Sequence, residues 1–317
     1  MLKKILVILF LIFFYGTCNA ATTIQQQPLT LILDWFANPN HAPLFVAQQQ
    51  GYFKQQGLDV KFIAPAGPSD PPKLVAAGKA DLAITYQPQL VMQVAQGLPL
   101  VRIATLINTP LNCLAVKADS NIKTIADLKG KRIGYSTDGV DTAMLTAMLA
   151  QHHLTPKDVT LINVNYDLVQ ALLSGNVDAV TGVMRNFELI EMQLAGHPAR
   201  AFLAEENGMP SYDELVIVTN KAEVNDPRLP RFLTALTLGT QYLEKHPEES
   251  WQLFAKNHPE LNNELNHRAW FATLPYFASQ PAAFDQTRYQ NLALFLQQQG
   301  LIKTVPKVGD YAVKLGD

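Results

Sequence analysis

The chain has 317 residues, of which 48% are hydrophobic and 16% charged, a balance that supports sizeable cores and excludes a disordered or fibrous polymer. Its formal net charge is −2, with no basic patch and no run of like charge, which argues against nucleic acid as a partner. The length suits two domains of ordinary size.

Lys3 and Lys4 precede a continuous apolar run over 5–15, and Gly16, Thr17, Cys18, Asn19 and Ala20 follow. This is the tripartite pattern of a secretory signal peptide over 1–20, predicting a cut after Ala20 and a periplasmic mature chain. The run is shorter than the roughly 20 residues that cross a bilayer, which disfavours an anchor helix. A lipoprotein signal cut before Cys18 is the second reading, but the Leu expected ahead of that cysteine is missing from Tyr15-Gly16-Thr17. No later stretch is long and apolar enough to span a membrane. With the signal removed Cys113 stands alone, so neither an internal disulfide nor a multi-cysteine metal site is expected. Beside Leu114 it reads as a small buried hydrophobe.

The mature part opens on an apolar strand over 29–33 that delivers Asp34 and Trp35 to a loop, Asn38-Pro39-Asn40-His41. A helix over 42–50 ends at Gly51. Strands over 60–63, 81–85 and 101–106 alternate with helices starting near Lys73 and Leu90. This α/β spacing predicts a largely parallel sheet covered by helices, with ligands bound beyond the carboxyl ends of strands, where Trp35, Asn38, Tyr86 and Asn108 fall. A new unit is expected to begin near Lys117. It has a short helix over 125–128, strands over 132–135, 159–164 and 179–183, and helices over 142–152 and 166–173. The turn Ser136-Thr137-Asp138-Gly139 is placed to offer backbone N–H groups to an anion or polar ligand. After a strand over 215–219 the pattern turns helical, over 231–246, 247–257 and 286–299.

Several short motifs in this order resemble the bacterial solute-binding proteins for thiamin-pyrimidine precursors, which share a family with the eukaryotic thiamin-pyrimidine synthases. They are Leu33-Asp34-Trp35, Asn38-Pro39-Asn40-His41, Gly51-Tyr52-Phe53, Gly57-Leu58-Asp59-Val60, Pro68-Ser69-Asp70 and Gly78-Lys79-Ala80-Asp81. Gly130-Lys131-Arg132-Ile133-Gly134-Tyr135, Gly175-Asn176-Val177-Asp178-Ala179, Asn186-Phe187-Glu188 and Pro210-Ser211-Tyr212-Asp213-Glu214 complete the set. The resemblance runs from about residue 28 to 250. It implies an α/β fold of the periplasmic-binding-protein type II, two lobes joined by a two-crossing hinge. Lobe 1 would be 21–113 with 215–317 and lobe 2 would be 114–214, closing on a ligand about crossings near Leu114 and Leu215. It also implies a monomer that hands a small pyrimidine to an ABC permease for thiamin salvage, without a cofactor or a catalytic step.

A flat heteroaromatic ligand needs aromatic faces and a few directional polar groups. Trp35, Tyr86 and Tyr212 are the stacking candidates, each with an alternative role in packing the lobes. Asn38 can donate and accept at once. His41 either meets the ligand or braces its loop, and Asn186 lies two residues before the most telling charge, Glu188. That carboxylate can accept from an exocyclic amine, or else pair with Arg185 or cap a helix start. Asp213 and Glu214 repeat the idea less strongly. Two rivals remain. A sulfonate or nitrate binder should place an arginine in the cleft, and only Arg185 stands near a predicted strand end. A synthase would need its cofactor lysine and reacting histidine where this chain has Thr85 and Gln89, and a cysteine cluster near 212–216 that is absent.

Overall fold

The computed structural model describes residues 25–315. The signal peptide expected over 1–20 and its lipoprotein alternative at Cys18 lie outside them. Among the described residues ten strands form two five-stranded sheets. The first contains β1 (Gln27–Ile32), β2 (Leu58–Ile63), β3 (Leu82–Thr85), β4 (Leu100–Ile107) and, from far along the chain, β10 (Leu215–Asn220), in the order β2-β1-β3-β10-β4. The second contains β5 (Asn112–Lys117), β6 (Arg132–Tyr135), β7 (Thr160–Asn163), β8 (Ala179–Met184) and β9 (Ala199–Leu203), in the order β7-β6-β8-β5-β9. The two orders are the same pattern.

The expectation of largely parallel sheets needs correction. β10 runs antiparallel to both β3 and β4, and β5 runs antiparallel to both β8 and β9. Each reversed strand is the first one after the chain passes between the sheets, at 108–111 on the way out and at 204–214 on the way back. Each arrives from the other sheet and not through a crossover helix from a strand of its own sheet, so the connection that keeps neighbouring strands parallel does not apply to it. Sequence reading also missed β5, the edge strand β9, and the helices Glu188–Leu194 and Glu264–Thr273. β9 is half-buried along its whole length, so it carries no alternating signal.

Both sheets are covered on two faces, as their uninterrupted apolar strands require. On one face of the first sheet Leu29, Leu31, Ile84 and Ile217 pack against Phe45, Phe232 and Phe254. On the other, Ala83, Val216 and Val218 meet Leu90, Leu292 and Leu296. The helix Arg228–Lys245 lies so close to Ala42–Gln49 that a Cβ on Gly239 would come within 2.6 Å of the Pro43 carbonyl oxygen. In the second sheet Leu114, Ile133 and Ala179 face Met144 and Met148, while Cys113, Ala115 and Val180 face Leu168 and Leu172. Cys113 is fully buried with a free thiol, which burial keeps protonated. No described helix is long and apolar enough to cross a membrane.

Candidate functional site

The carboxyl ends of β1, β3, β6 and β8 converge between the sheets on one pocket, whose cavity in this conformation is about 20 Å³. Asp34, Trp35, Asn38 and Asn40 reach it from the loop after β1, and Tyr86 from the end of β3. Thr137 and Asp141 follow β6, Leu168 opens the helix after β7, and Gly182, Met184, Phe187 and Glu188 come from β8 and the turn beyond it. Among the described residues three carboxyl groups line the pocket, and no lysine or arginine does.

The β1 loop is pre-organised by its own side chains. The Asn38 amide oxygen accepts from the Asn40 N–H at 2.8 Å and caps the short helix Pro39–His41. The Asn38 backbone N–H points at His41 Nδ1, 3.3 Å away, so that nitrogen accepts and the ring proton sits on Nε2. Nε2 then donates to Asp34 Oδ1 at 2.8 Å, and the Tyr86 hydroxyl donates to Asp34 Oδ2 at 2.9 Å. Burial and then the Asp34 charge push the Tyr86 phenol far above its ordinary range, so it remains a donor. His41 thus stands behind the pocket as the brace of Asp34.

Glu188 opens the helix Glu188–Leu194, and its Oε2 accepts from the Met184 N–H at 2.8 Å. Burial pushes its carboxyl up to about 7, against the pull of backbone N–H groups, with the charges of Glu191 and Asp34 adding to the rise. It does not pair with Arg185, whose guanidinium grips Glu205 at 2.8 and 2.9 Å. Asp141 is also raised to about 7 by burial, although its Oδ2 accepts from the Ser136 N–H at 2.9 Å and the Thr137 N–H at 2.8 Å. The expectation that the Ser136–Gly139 turn offers these groups to a ligand therefore needs correction, because Asp141 already holds two of them.

Gly182 makes room for that carboxylate. The β5–β8 register skips it, pairing Cys113 with Val183 and Leu114 with Thr181, and its φ is +96°. A Cβ there would lie within 2.6 Å of three Asp141 carboxylate atoms. Gly182→Ala is expected to cost roughly 2–4 kcal/mol, from left-handed strain plus the displaced carboxylate. Equilibrium denaturation with urea measures it, and a loss within error of zero would mean the bulge relaxes freely.

Trp35 carries the largest aromatic face in the pocket and packs against the hydrophobic cluster of the second sheet. Its ring meets Tyr166 edge-on, with centroids 4.5 Å apart, and the Tyr166 hydroxyl donates to the Pro65 carbonyl at 3.0 Å. Asn186 ties the two halves together behind the pocket, donating to Asn40 Oδ1 and Thr273 Oγ1, each at 2.6 Å.

Of the residues singled out in the sequence, the structure brings Trp35, Asn38, Tyr86 and Glu188 to one pocket and sets His41 and Asn186 directly behind it. Tyr212 and Asp213 are elsewhere. Tyr212 is fully buried and donates to Glu214 at 3.2 Å. Asp213 accepts from Thr105 at 2.8 Å, from Tyr289 at 3.1 Å and from Arg288 at 2.8 Å, beside a separate surface depression that also takes in Asn108. Both belong to the chain's return crossing, whose polar groups are consumed in holding it. Sequence reasoning passed over Asp34, Asn40 and Asp141 as ligand-facing groups. Asp34 was legible as a polar residue at a strand end, whereas nothing local marks Asp141.

Among the described residues no lysine lines the pocket to anchor an aldehyde cofactor. Thr85 and Gln89 are buried and bonded to each other at 2.6 Å, and Gln89 donates onward to the Asp138 carbonyl at 2.9 Å. These residues do not fit pyridoxal phosphate.

A family model described as NMT1/THI5 like matches residues 38–250. The chain belongs to that family. Among NMT1/THI5-like proteins, a Haemophilus influenzae protein named for thiamine biosynthesis is 48% identical over 304 residues, covering 96% of this chain and 97% of its own. The formylaminopyrimidine-binding protein of Halalkalibacterium halodurans is 33% identical over 267 residues, 83% of this chain and 81% of its own. The alkanesulfonate-binding protein SsuA from Xanthomonas axonopodis pv. citri, solved with MOPS bound, superposes with a TM-score of 0.73 at 18% identity, covering 91% of this chain and 98% of its own. The NMT1/THI5-like chain thus has the type II periplasmic-binding-protein fold.

Proposed function

We propose that this chain is the extracytoplasmic solute-binding protein of an ABC importer. Its cargo is a thiamin-pyrimidine precursor of the formylaminopyrimidine or hydroxymethylpyrimidine kind, taken up for thiamin salvage. The observation that carries the reading is the lining of the pocket: an indole and other apolar walls to take a flat ring, and Asp34, Asp141 and Glu188 to accept from ring amines, with no cation. The relative named for binding formylaminopyrimidine supports the same choice. A sulfonate or nitrate would enter a pocket lined by three carboxyl groups and no described lysine or arginine to pair with it. In a synthase role, which a 28%-identical yeast relative bears in its name, the cofactor would lack its amine.

In this reading the lobes, 21–113 with 215–317 and 114–214, close as a monomer over the ring. Trp35 stacks on one face, Glu188 accepts from the exocyclic amine, and Asn38 and Tyr86 shape the wall through Asp34 and the β1 loop. Contacts that exist only when the lobes meet, such as Tyr166 to Pro65 and Asn186 to Asn40, favour the closed form that a permease would recognise. Binding and release need no covalent step. Calorimetry on the secreted protein with formylaminopyrimidine, hydroxymethylpyrimidine, thiamin, taurine and nitrate tests the reading. The pyrimidines are expected to bind with micromolar or tighter affinity, roughly 8 kcal/mol or more. Taurine or nitrate binding with none for the pyrimidines would overturn it.

A further inference from the structure

The fold builds an oxyanion cradle and this chain fills it with its own carboxylate. At the end of β6 the N–H groups of Ser136 and Thr137 point to one spot, just ahead of the 11-residue helix Val140–Ala150. Converging N–H groups before a helix start attract an anion. The anion present is Asp141, 2% exposed, whose Oδ2 takes both donors while its carboxylate borders the pocket. The opposite wall is cut away at the Gly182 bulge, where any side chain would strike that carboxylate. A residue with a purely structural task of capping its own turn would not require the facing strand to give up a side chain and a ladder position.

We propose that Asp141 is the selectivity element of the cleft: a built-in carboxyl group that occupies the oxyanion cradle, so that rings bearing amine donors are admitted and sulfonates, phosphate and nitrate are refused. The inference rests on the reading of this cleft as the ligand site and adds what decides its cargo. The mechanism is a difference of affinities. A tetrahedral or planar oxyanion finds the two N–H donors taken and a carboxyl oxygen in its place, whereas an amine finds an acceptor already held in position.

The test compares Asp141→Ala and Asp141→Asn with the parent protein, using inorganic phosphate and methanesulfonate as probes alongside formylaminopyrimidine. The parent is expected to bind neither probe. Asp141→Ala vacates the cradle and is expected to bind them in the millimolar range, about 4 kcal/mol of affinity. Asp141→Asn leaves an amide oxygen on the two N–H groups, so it is expected to stay blind to the probes yet lose about tenfold or more in affinity for the aminated ring. The loss should be smaller for a pyrimidine lacking the amine. The proposal is overturned if folded Asp141→Ala ignores both probes, or if Asp141→Asn binds them equally well. It is also overturned if Asp141→Asn weakens aminated and amine-free rings alike. That last comparison holds even where the alanine variant does not fold. Absence of pyrimidine binding by the parent protein would instead overturn the proposed cargo, and the oxyanion comparison would still be decided.

Discussion

Glu188→Gln is expected to give a protein that is harder to unfold when empty and poorer at holding its ligand. Its carboxyl is raised to about 7 because burial penalises the charge, with Glu191 and Asp34 close by and only backbone N–H groups to offset them. Asp141 is raised to about 7 in the same way. Between the ordinary carboxylate range and about pH 7, the folded protein keeps protons that the unfolded chain has released. The stability of the empty protein should therefore fall as pH climbs through that window and level off above it. Removing the Glu188 share should raise unfolding stability by about 1–2 kcal/mol at pH 8 and by little at pH 5, after allowing for the half-open side chain. The amide still accepts from the Met184 N–H, so the fold is kept. In exchange the ligand loses a charged acceptor, worth about 1.5–3 kcal/mol or roughly 10- to 150-fold in Kd. Melting temperature at the two pH values and calorimetric Kd provide the measurements. Unchanged pyrimidine affinity would remove Glu188 from the site, and an unchanged melting temperature at pH 8 would remove the burial penalty.

The second large effect is expected at Glu214, where the two crossings between the sheets are tied together. From the return crossing this fully buried carboxylate reaches the outbound one, accepting from the backbone N–H of Leu111 at 2.5 Å and of Asn112 at 2.8 Å, and from the Asn112 side chain at 2.8 Å. The Tyr212 hydroxyl adds a fourth bond. Burial raises its carboxyl and these bonds hold it down. Glu214→Ala strands several buried donors at once. It is expected to cost about 3–5 kcal/mol, the range for removing one partner of a buried charged cluster. Because the lost bonds join the crossings, the unliganded protein should also sample wider lobe separations, visible as a larger radius of gyration in solution scattering. A variant that unfolds like the parent and scatters like it would show that the crossings are held by other contacts.

How much of this was legible beforehand depended on how local the cause is. The turn at Asn38-Pro39-Asn40-His41 was readable because its chemistry lies within four residues, although the structure shows Asn38 spending its side chain on that turn. The strands carrying Trp35 and Tyr86 were readable as apolar runs with polar ends, and the pocket does form at those ends. Tyr212 was not readable in the same way. Whether an aromatic after Pro210 faces the cleft or the crossings depends on where residues 111 and 112 pass, which lie 102 and more positions from the Glu214 that Tyr212 bonds. Asp141 was hidden for another reason. Its partners are four and five residues back, but its place at the pocket follows from the skipped register at Gly182, a pairing between strands that no short window contains. The reversed strands β5 and β10 escaped likewise, since direction is a property of connection and not of composition.

That β10 sits between β3 and β4 has a consequence for how the molecule comes into being. The second sheet draws all five of its strands from 112–203, so everything it needs is close together in the chain. The first sheet keeps a vacancy in its middle until Leu215–Asn220 arrives. A chain growing from its amino end therefore completes its interior half before its opening half, and meanwhile carries two raw edges where stray strands could add.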